Sequence, residues 1–229
     1  MKIIRISGII LTTLMNFFSY GQKTISEGTI TYKISTQSEN KLPAGDPLAG
    51  ATNIIYLKGS LSRTEMASSL GKETTIYDEK NGVGVILKEY SGQKLMITLT
   101  RDNWINQNKK FEGITFETTS EKKTIAGYNC TKATAKLKDG SVMIVYFAPD
   151  ININNKEYNQ IFKNLQGLPV QYEFQSGKLR FIYVLVTIDL GPVPVAKFDF
   201  PKSGYRIMTY DENHQGKKES DYYQKSLRN

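Results

Sequence analysis

Between Asn53 and Leu99 the chain is cut into short runs by glycine-bearing turns at close, regular intervals. Residues 53–58 and 61–66 flank Gly59-Ser60, and residues 72–77 follow. Residues 83–90 come after Asn81-Gly82, and residues 94–99 after Ser91-Gly92. Two-residue turns join antiparallel neighbours, and this spacing leaves no room for the crossover helices that a parallel sheet requires. The predicted fold class is therefore mainly β (β-rich α+β), a curved antiparallel sheet or half-barrel with one or two short helices packed on it. Residues 28–35 form a first strand, with Ile30, Tyr32 and Ile34 on one face and Thr29, Thr31 and Lys33 on the other. Residues 114–118 and 122–125 are two further strands. Residues 129–137 and 141–147 are a hairpin closed by Asp139-Gly140. Residues 195–200 make a last edge strand ending at Pro201, and residues 205–210 a short extended segment.

Two elements interrupt the sheet pattern. Around Asp102-Asn103-Trp104-Ile105 a short helix is predicted. Residues 157–165 form a better one, with Tyr158, Ile161, Phe162 and Leu165 on one stripe, Asn155 as N-cap and Gly167 at the stop. Beyond it, Val170, Tyr172 and Phe174 alternate with Gln171, Glu173 and Gln175, and Ser176-Gly177 reads as a turn. The next strand is apolar on both faces through Phe181, Ile182, Tyr183, Val184, Leu185 and Val186, which predicts cover on both sides of the sheet. Residues 37–52, rich in Pro, Gly and Asn, are a long loop.

Gly167-Leu168-Pro169, followed by an apolar residue and Tyr172-Glu173, resembles the motif of the GLPGLI family of Bacteroidota secreted proteins. Three other pieces match in order: residues 123–130 (KTIAGYNC), residues 146–150 (YFAPD), and Phe198-Asp199-Phe200-Pro201 with Gly204-Tyr205 and Met208 behind it. The resemblance covers residues 28–208. It departs at Val170-Gln171-Tyr172, where the family carries Gly-Leu-Ile. The resemblance implies an exported β-rich protein and no particular reaction. By analogy the half-barrel is lipoprotein-carrier-like, with helices against its concave face.

Residues 1–21 read as a cleaved signal peptide. Lys2 and Arg5 are basic, residues 9–18 are mostly apolar, and Ser19-Tyr20-Gly21 fits a small-x-small cleavage site. The expected organisation is residues 1–21 signal, 22–210 one β-rich domain and 211–229 a polar tail, in an extracytoplasmic location (periplasm or secreted). No cysteine stands near the cleavage site, so lipid attachment there is not expected. Removing the signal leaves 28 basic residues against 22 acidic ones, a scattered net charge near +6 with no aromatic-basic motif for nucleic acid. Cys130 is the one cysteine, which excludes an internal disulfide. It reads as a small buried hydrophobe.

No reaction is written in the sequence. One His and one Cys far apart make no usual zinc set, and Asp78, Glu79, Asp150, Glu173 and Asp199 are scattered, without the spacing of a calcium loop. No metal, cofactor or catalytic residue is assigned, and the protein is expected not to be an enzyme. Aromatic residues favour strands for packing reasons, yet as a group they can line a pocket. The candidate ligand-binding set is Trp104, Tyr158, Phe162, Tyr172, Phe174, Phe181 and Tyr183. The expected function is a non-enzymatic binding module of the cell envelope that holds an apolar ligand, such as a lipid, or an envelope protein partner in the sheet concavity. The alternative is a structural or assembly protein acting through protein–protein contacts at a sheet edge or the 37–52 loop. A hydrolase using unidentified carboxylates ranks third.

Overall fold

The structure is a computed structural model. It describes residues 22–38, 48, 50–176 and 179–215. The expected signal segment, most of the 37–52 loop, Gly177 and the tail beyond residue 215 lie outside the described residues. The strands are β1 (Lys23–Ile25), β2 (Glu27–Ser38), β3 (Thr52–Lys58), β4 (Leu61–Ser68), β5 (Gly71–Asp78), β6 (Val83–Tyr90) and β7 (Gln93–Thr100). After helix α1 (Arg101–Asn108) come β8 (Glu117–Ile125), β9 (Tyr128–Lys136), β10 (Val142–Ala148), β11 (Ile151–Ile153), β12 (Leu168–Ser176), β13 (Leu179–Asp189) and β14 (Arg206–Thr209). Twelve of them form one sheet in the order β14-β7-β6-β5-β4-β3-β2-β13-β12-β10-β9-β8, while β1 and β11 pair separately in parallel. The protein is mainly β, as its turn spacing predicts.

The sheet is strongly curled, and chain geometry shows why. On a flat sheet β7 and β9, nine strand spacings apart, would lie about 43 Å from each other. Yet α1 leaves the end of β7 and, with the 3-10 turn Lys109–Phe111, reaches the turn after β9, where the Lys138 ammonium donates to the Lys109 carbonyl at 2.7 Å. Eight α-helical and three 3-10 residues span only about 18 Å. The two ends of the sheet must therefore curve toward each other, with α1 bridging the concavity.

Alternation assigns the faces. Tyr32, Ile55, Val145, Tyr172 and Leu185 point inward and are almost fully buried in the main core. The outward face of the β5–β7 region carries Ile76, Val85, Leu87 and Met96, which are covered by Val193 and Phe198. That cover corrects the sequence expectation of an edge strand at 195–200. The segment is a 3-10 turn, Val195–Phe198, lying across the outer face. β14 then pairs in parallel with β7 at the sheet edge, and residues 210–215 turn helical on the inner side, where Tyr210 joins Tyr77, Ile86, Ile97, Leu99 and Trp104. The expected polar tail thus begins as an ordered turn of helix. The chain clasps this edge of the sheet from both faces.

Three further expectations are corrected. Residues 157–165 are not an α-helix but two 3-10 turns, Lys156–Tyr158 and Gln160–Phe162. Asn155 and Asn159 each accept a hydrogen bond from the backbone N–H two residues on, and Asn159 sits at φ −156°, which ends the first turn. The apolar stripe is nevertheless buried as its spacing predicts, with Tyr158, Ile161, Phe162 and Leu165 all in the core. Residues 114–118 and 122–125 are not two strands. Residues 117–125 form one, β8, with a register shift between Thr118 and Lys122, and the buried Ile114 precedes it. Finally, β13 is not covered on both faces along its length. A register shift between Leu185 and Thr187 leaves Val186 55% exposed.

The clasp over the outer face is pinned by polar contacts. The Val193 N–H donates to Glu27 Oε1 at 2.7 Å, Arg63 Nη1 to the Lys197 carbonyl at 2.8 Å, and the Tyr205 hydroxyl to Glu89 Oε1 at 2.8 Å. Lys58 first, then the Val193 N–H, hold the Glu27 carboxyl below its ordinary value of 4.5. The Tyr205 hydroxyl does the same for Glu89. A depressed folded-state value means that this support is complete above about pH 4.5 and is lost as pH falls through the lower folded value. Burial, then the Glu89 bond, pushes Tyr205 up to about 12. That support is complete below the ordinary value of 10 and is lost as pH rises toward 12. Amides of residues 193–205 are expected to lose hydrogen-exchange protection at pH 3 relative to pH 7, while those of β9 and β10 keep theirs. Equal protection of the clasp at both pH values would show that these carboxylates do not hold it.

Candidate functional site

Among the described residues, the inner face opens on either side of Phe111, which lines both openings. A capping box starts α1, the helix that leads to the turn carrying Phe111. Thr100 Oγ1 accepts from the Asn103 N–H and Asn103 Oδ1 accepts from the Thr100 N–H, so α1 begins as soon as β7 ends. Only Trp104 of α1 is buried. Its ring stacks on Tyr77 with centroids 4.2 Å apart and planes 12° apart, and its Nε1 donates to Glu157 Oε2 at 3.0 Å. Glu157 also accepts from Gln160 and, on Oε1, from Lys163 at 2.6 Å. One indole therefore ties α1 to both the sheet and the 3-10 turns.

On one side of Phe111 lies the tryptophan cleft, of about 410 Å³, bounded by Tyr77, Trp104, Arg101, Asn108, Glu157 and Gln160 among others. On the other side lie two neighbouring depressions of the inner face that share Glu73 in their lining and together form a trough. One part, of about 240 Å³, is lined by Met66, Ile161, Tyr172, Phe174 and Tyr183 with Asn53, Thr64, Thr75 and Glu73. A second part, of about 820 Å³, also includes Glu73 and continues over Lys88, Ile86 and Ile97, between α1 residues Asn106 and Gln107 and the C-terminal helical turn at Tyr210 and His214. Glu73 and Lys88 form an ion pair, 3.6 Å apart, where the two parts meet.

The structure brings most of the predicted aromatic set together, mainly as packing. Tyr172 stacks on Tyr183 at 4.6 Å and meets Phe162, Phe174 and Tyr32 edge-on at 4.8, 5.6 and 5.6 Å. Tyr158 and Phe162 are core residues below the surface. Phe174 and Tyr183 are partly buried and line the trough, together with an edge of Tyr172. Phe181 pairs with Phe174 across β12 and β13 but lines neither opening. Trp104 belongs to the other cleft. Burial pushes the Tyr32, Tyr158 and Tyr172 hydroxyls up, so they stay neutral hydrogen-bonding groups. The Tyr32 hydroxyl donates to the Pro169 carbonyl at 2.8 Å, which joins the Gly-Leu-Pro segment to β2.

Sequence reasoning missed the polar half of both openings. Asn53 had a legible signal. It shares its inward alternation with Ile55 and Leu57 and is only 6% exposed, a buried amide among apolar positions. Glu157, Asn108 and Gln160 carried no such signal, because they meet Trp104 only through the curl of the sheet. Among the described residues no group of three or more His, Cys, Asp or Glu side chains could hold a metal ion, and no helix is long and apolar enough to cross a membrane. Cys130 is buried and burial pushes its thiol up, as befits a core residue.

No protein-family model matches the chain, and no curated protein matches it. It is similar to solved structures at low identity. A structure of PNGF-II is 14% identical with a TM-score of 0.46, over 80% of this chain and 31% of that one. A crystal structure of MucB is 8% identical with a TM-score of 0.39, over 82% and 62%. MucB in complex with MucA(peri) is 10% identical with a TM-score of 0.32, over 77% and 54%. The chain thus spans less than two thirds of each of these proteins.

Proposed function

We propose that the protein is an extracytoplasmic binding module, without catalytic activity, that takes an extended segment of an envelope protein in the trough. The shape of the trough carries this reading. It runs over strands from β12 to β7, seven spacings or about 34 Å measured along the sheet, which matches an extended peptide of about ten residues. Its lining alternates apolar groups (Met66, Phe174, Tyr183, Ile86) with Asn53, Thr64, Thr75 and the Glu73–Lys88 pair, and a peptide backbone presents the same mixture. The space beneath residues 157–165 is filled by Tyr158, Phe162, Leu165 and Tyr172, which favours a surface-bound polypeptide over a lipid enclosed in the sheet. Both oxygens of Glu157, the carboxylate at the tryptophan cleft with the least exposed side chain among its ion pairs, are engaged, which supports the non-enzymatic assignment. The basic-then-apolar N-terminus and the GLPGLI resemblance support the compartment.

The test is site-specific photo-crosslinking in the exporting cell. A photoreactive residue at Met66 or at Lys88 is expected to capture the same polypeptide, and one at Lys136 on the outer face is not. Adducts limited to lipid would restore the apolar-carrier reading. Equal labelling at all three positions would remove the trough from consideration.

A further inference from the structure

We propose that the tryptophan cleft is a separate binding site for a neutral saccharide. Three features of its lining select that ligand class. Arg101, Lys109 and Lys163 face Glu79, Glu112 and Glu157 around the same opening, three charges of each sign. An ionic ligand would meet as many like charges as opposite ones, whereas a hydroxyl, which both donates and accepts, can pair with either kind. An apolar ligand would strip water from these groups and return no hydrogen bonds.

The second feature is preorganised planar polar groups. Asn108 Nδ2 donates to the Trp104 carbonyl at 2.9 Å, and Asn164 Nδ2 to the Ile114 carbonyl at 2.8 Å. Each bond fixes an amide plane in a residue that lines the cleft. Arg101 Nη2 is held by the Glu79 and Lys80 carbonyls at 3.0 and 3.1 Å, and Lys163 is held by Glu157. Donors and acceptors already fixed in place lose little freedom on binding, which suits a ligand recognised through many hydroxyls.

The third feature is an apolar wall beside them. With one indole face on Tyr77 and its N–H on Glu157, Trp104 is held still, and it lines the cleft together with Ile105 and Phe111. A sugar ring carries C–H groups on its faces and hydroxyls on its rim, and this arrangement of wall and polar groups fits both. The volume, about 410 Å³, lies within the usual range for small-molecule sites, about 300–1,000 Å³.

Trp104 is the only tryptophan, so its emission reports on the site directly. The full mature chain is titrated with maltose, cellobiose, lactose and N,N′-diacetylchitobiose, followed by tryptophan fluorescence and ligand-observed saturation-transfer NMR. At least one is expected to bind with Kd on the order of 1 mM or tighter and to change the Trp104 emission. The double variant Asn108→Ala, Gln160→Ala is expected to weaken that binding about tenfold or more, through the loss of two hydrogen-bonding amides. Lys136→Ala, exposed on β9 and away from the cleft, leaves it unchanged. If the double variant melts early, Ile105→Asp, at a position 57% exposed, takes its place with the same expectation. Absence of saturation transfer from all four sugars, binding that survives the cleft variants, or equal displacement by acetate and phosphate would each overturn the assignment. None of these results bears on the trough, which crosslinking tests independently.

Discussion

Tyr172→Ala is expected to lower the stability of the fold by about 3–5 kcal/mol, the range for removing a buried aromatic ring. Tyr172 is 3% exposed and touches four other rings, Tyr32, Phe162, Phe174 and Tyr183. These come from β2, the 3-10 turn before β12, β12 itself and β13, so the cavity would open where the two halves of the sheet meet. Such a cavity cannot close by a local shift, because three of its walls, β2, β12 and β13, are strands held in register on both sides. In thermal unfolding the midpoint should fall by about 6–20 °C for a chain of this size. Tyr172→Phe keeps the ring and removes only the hydroxyl beside Asn53, for a cost of about 1 kcal/mol. A loss under about 1 kcal/mol for the alanine variant would show that the cluster is not the centre of the core.

Gly167→Ala should be nearly as damaging, for a different reason. Gly167 has φ +154°, and a Cβ there would stand 2.5 Å from the Ala148 carbonyl oxygen and 2.6 Å from Phe147 Cδ2. The oxygen belongs to backbone that pairs with Leu168 in the β10–β12 ladder, so it cannot move without breaking that pairing. Strain at positive φ and the clash together are expected to cost about 2–4 kcal/mol. Gly140→Ala separates the two effects. It has φ +86° but nothing within 4 Å of the added Cβ, so only the strain applies, about 1 kcal/mol. Urea titration of both variants checks this. If they shift equally, close approach of β12 to β10 is not what requires glycine at 167.

That comparison also explains the Gly-Leu-Pro segment. Gly167 is not the stop of a helix: Leu168 and Pro169 already lie in β12, opposite Ala148 and Phe147, at a register shift where a missing N–H is tolerated. Gly167 lets the chain come close, Pro169 sits at the irregularity, and the Tyr32 hydroxyl binds the Pro169 carbonyl. The motif is structural, and it works through partners up to 137 residues away.

The sequence by itself determined the hairpin order from β2 to β7, the β9–β10 hairpin, the inward alternation of β12 and the burial of Tyr158, Ile161, Phe162, Leu165 and Cys130. These depend on turn chemistry and on side-chain period, which are set by neighbours in the chain. Of the predicted site residues, Phe174, Tyr183 and the edge of Tyr172 were legible as one patch because β12 and β13 are adjacent. Only the tertiary structure decided the rest. Residues 195–198 became cover because the outer face of β5–β7 left Ile76, Val85, Leu87 and Met96 to be buried, a demand invisible at residue 195. Residues 157–165 became two 3-10 turns because the side chains of Asn155 and Asn159 satisfy backbone N–H groups that a helix would have left to the cap. Both openings, finally, exist because the sheet curls until α1 can span it. Curl arises from twist accumulated over twelve strands and from what packs inside, and no window of sequence contains it.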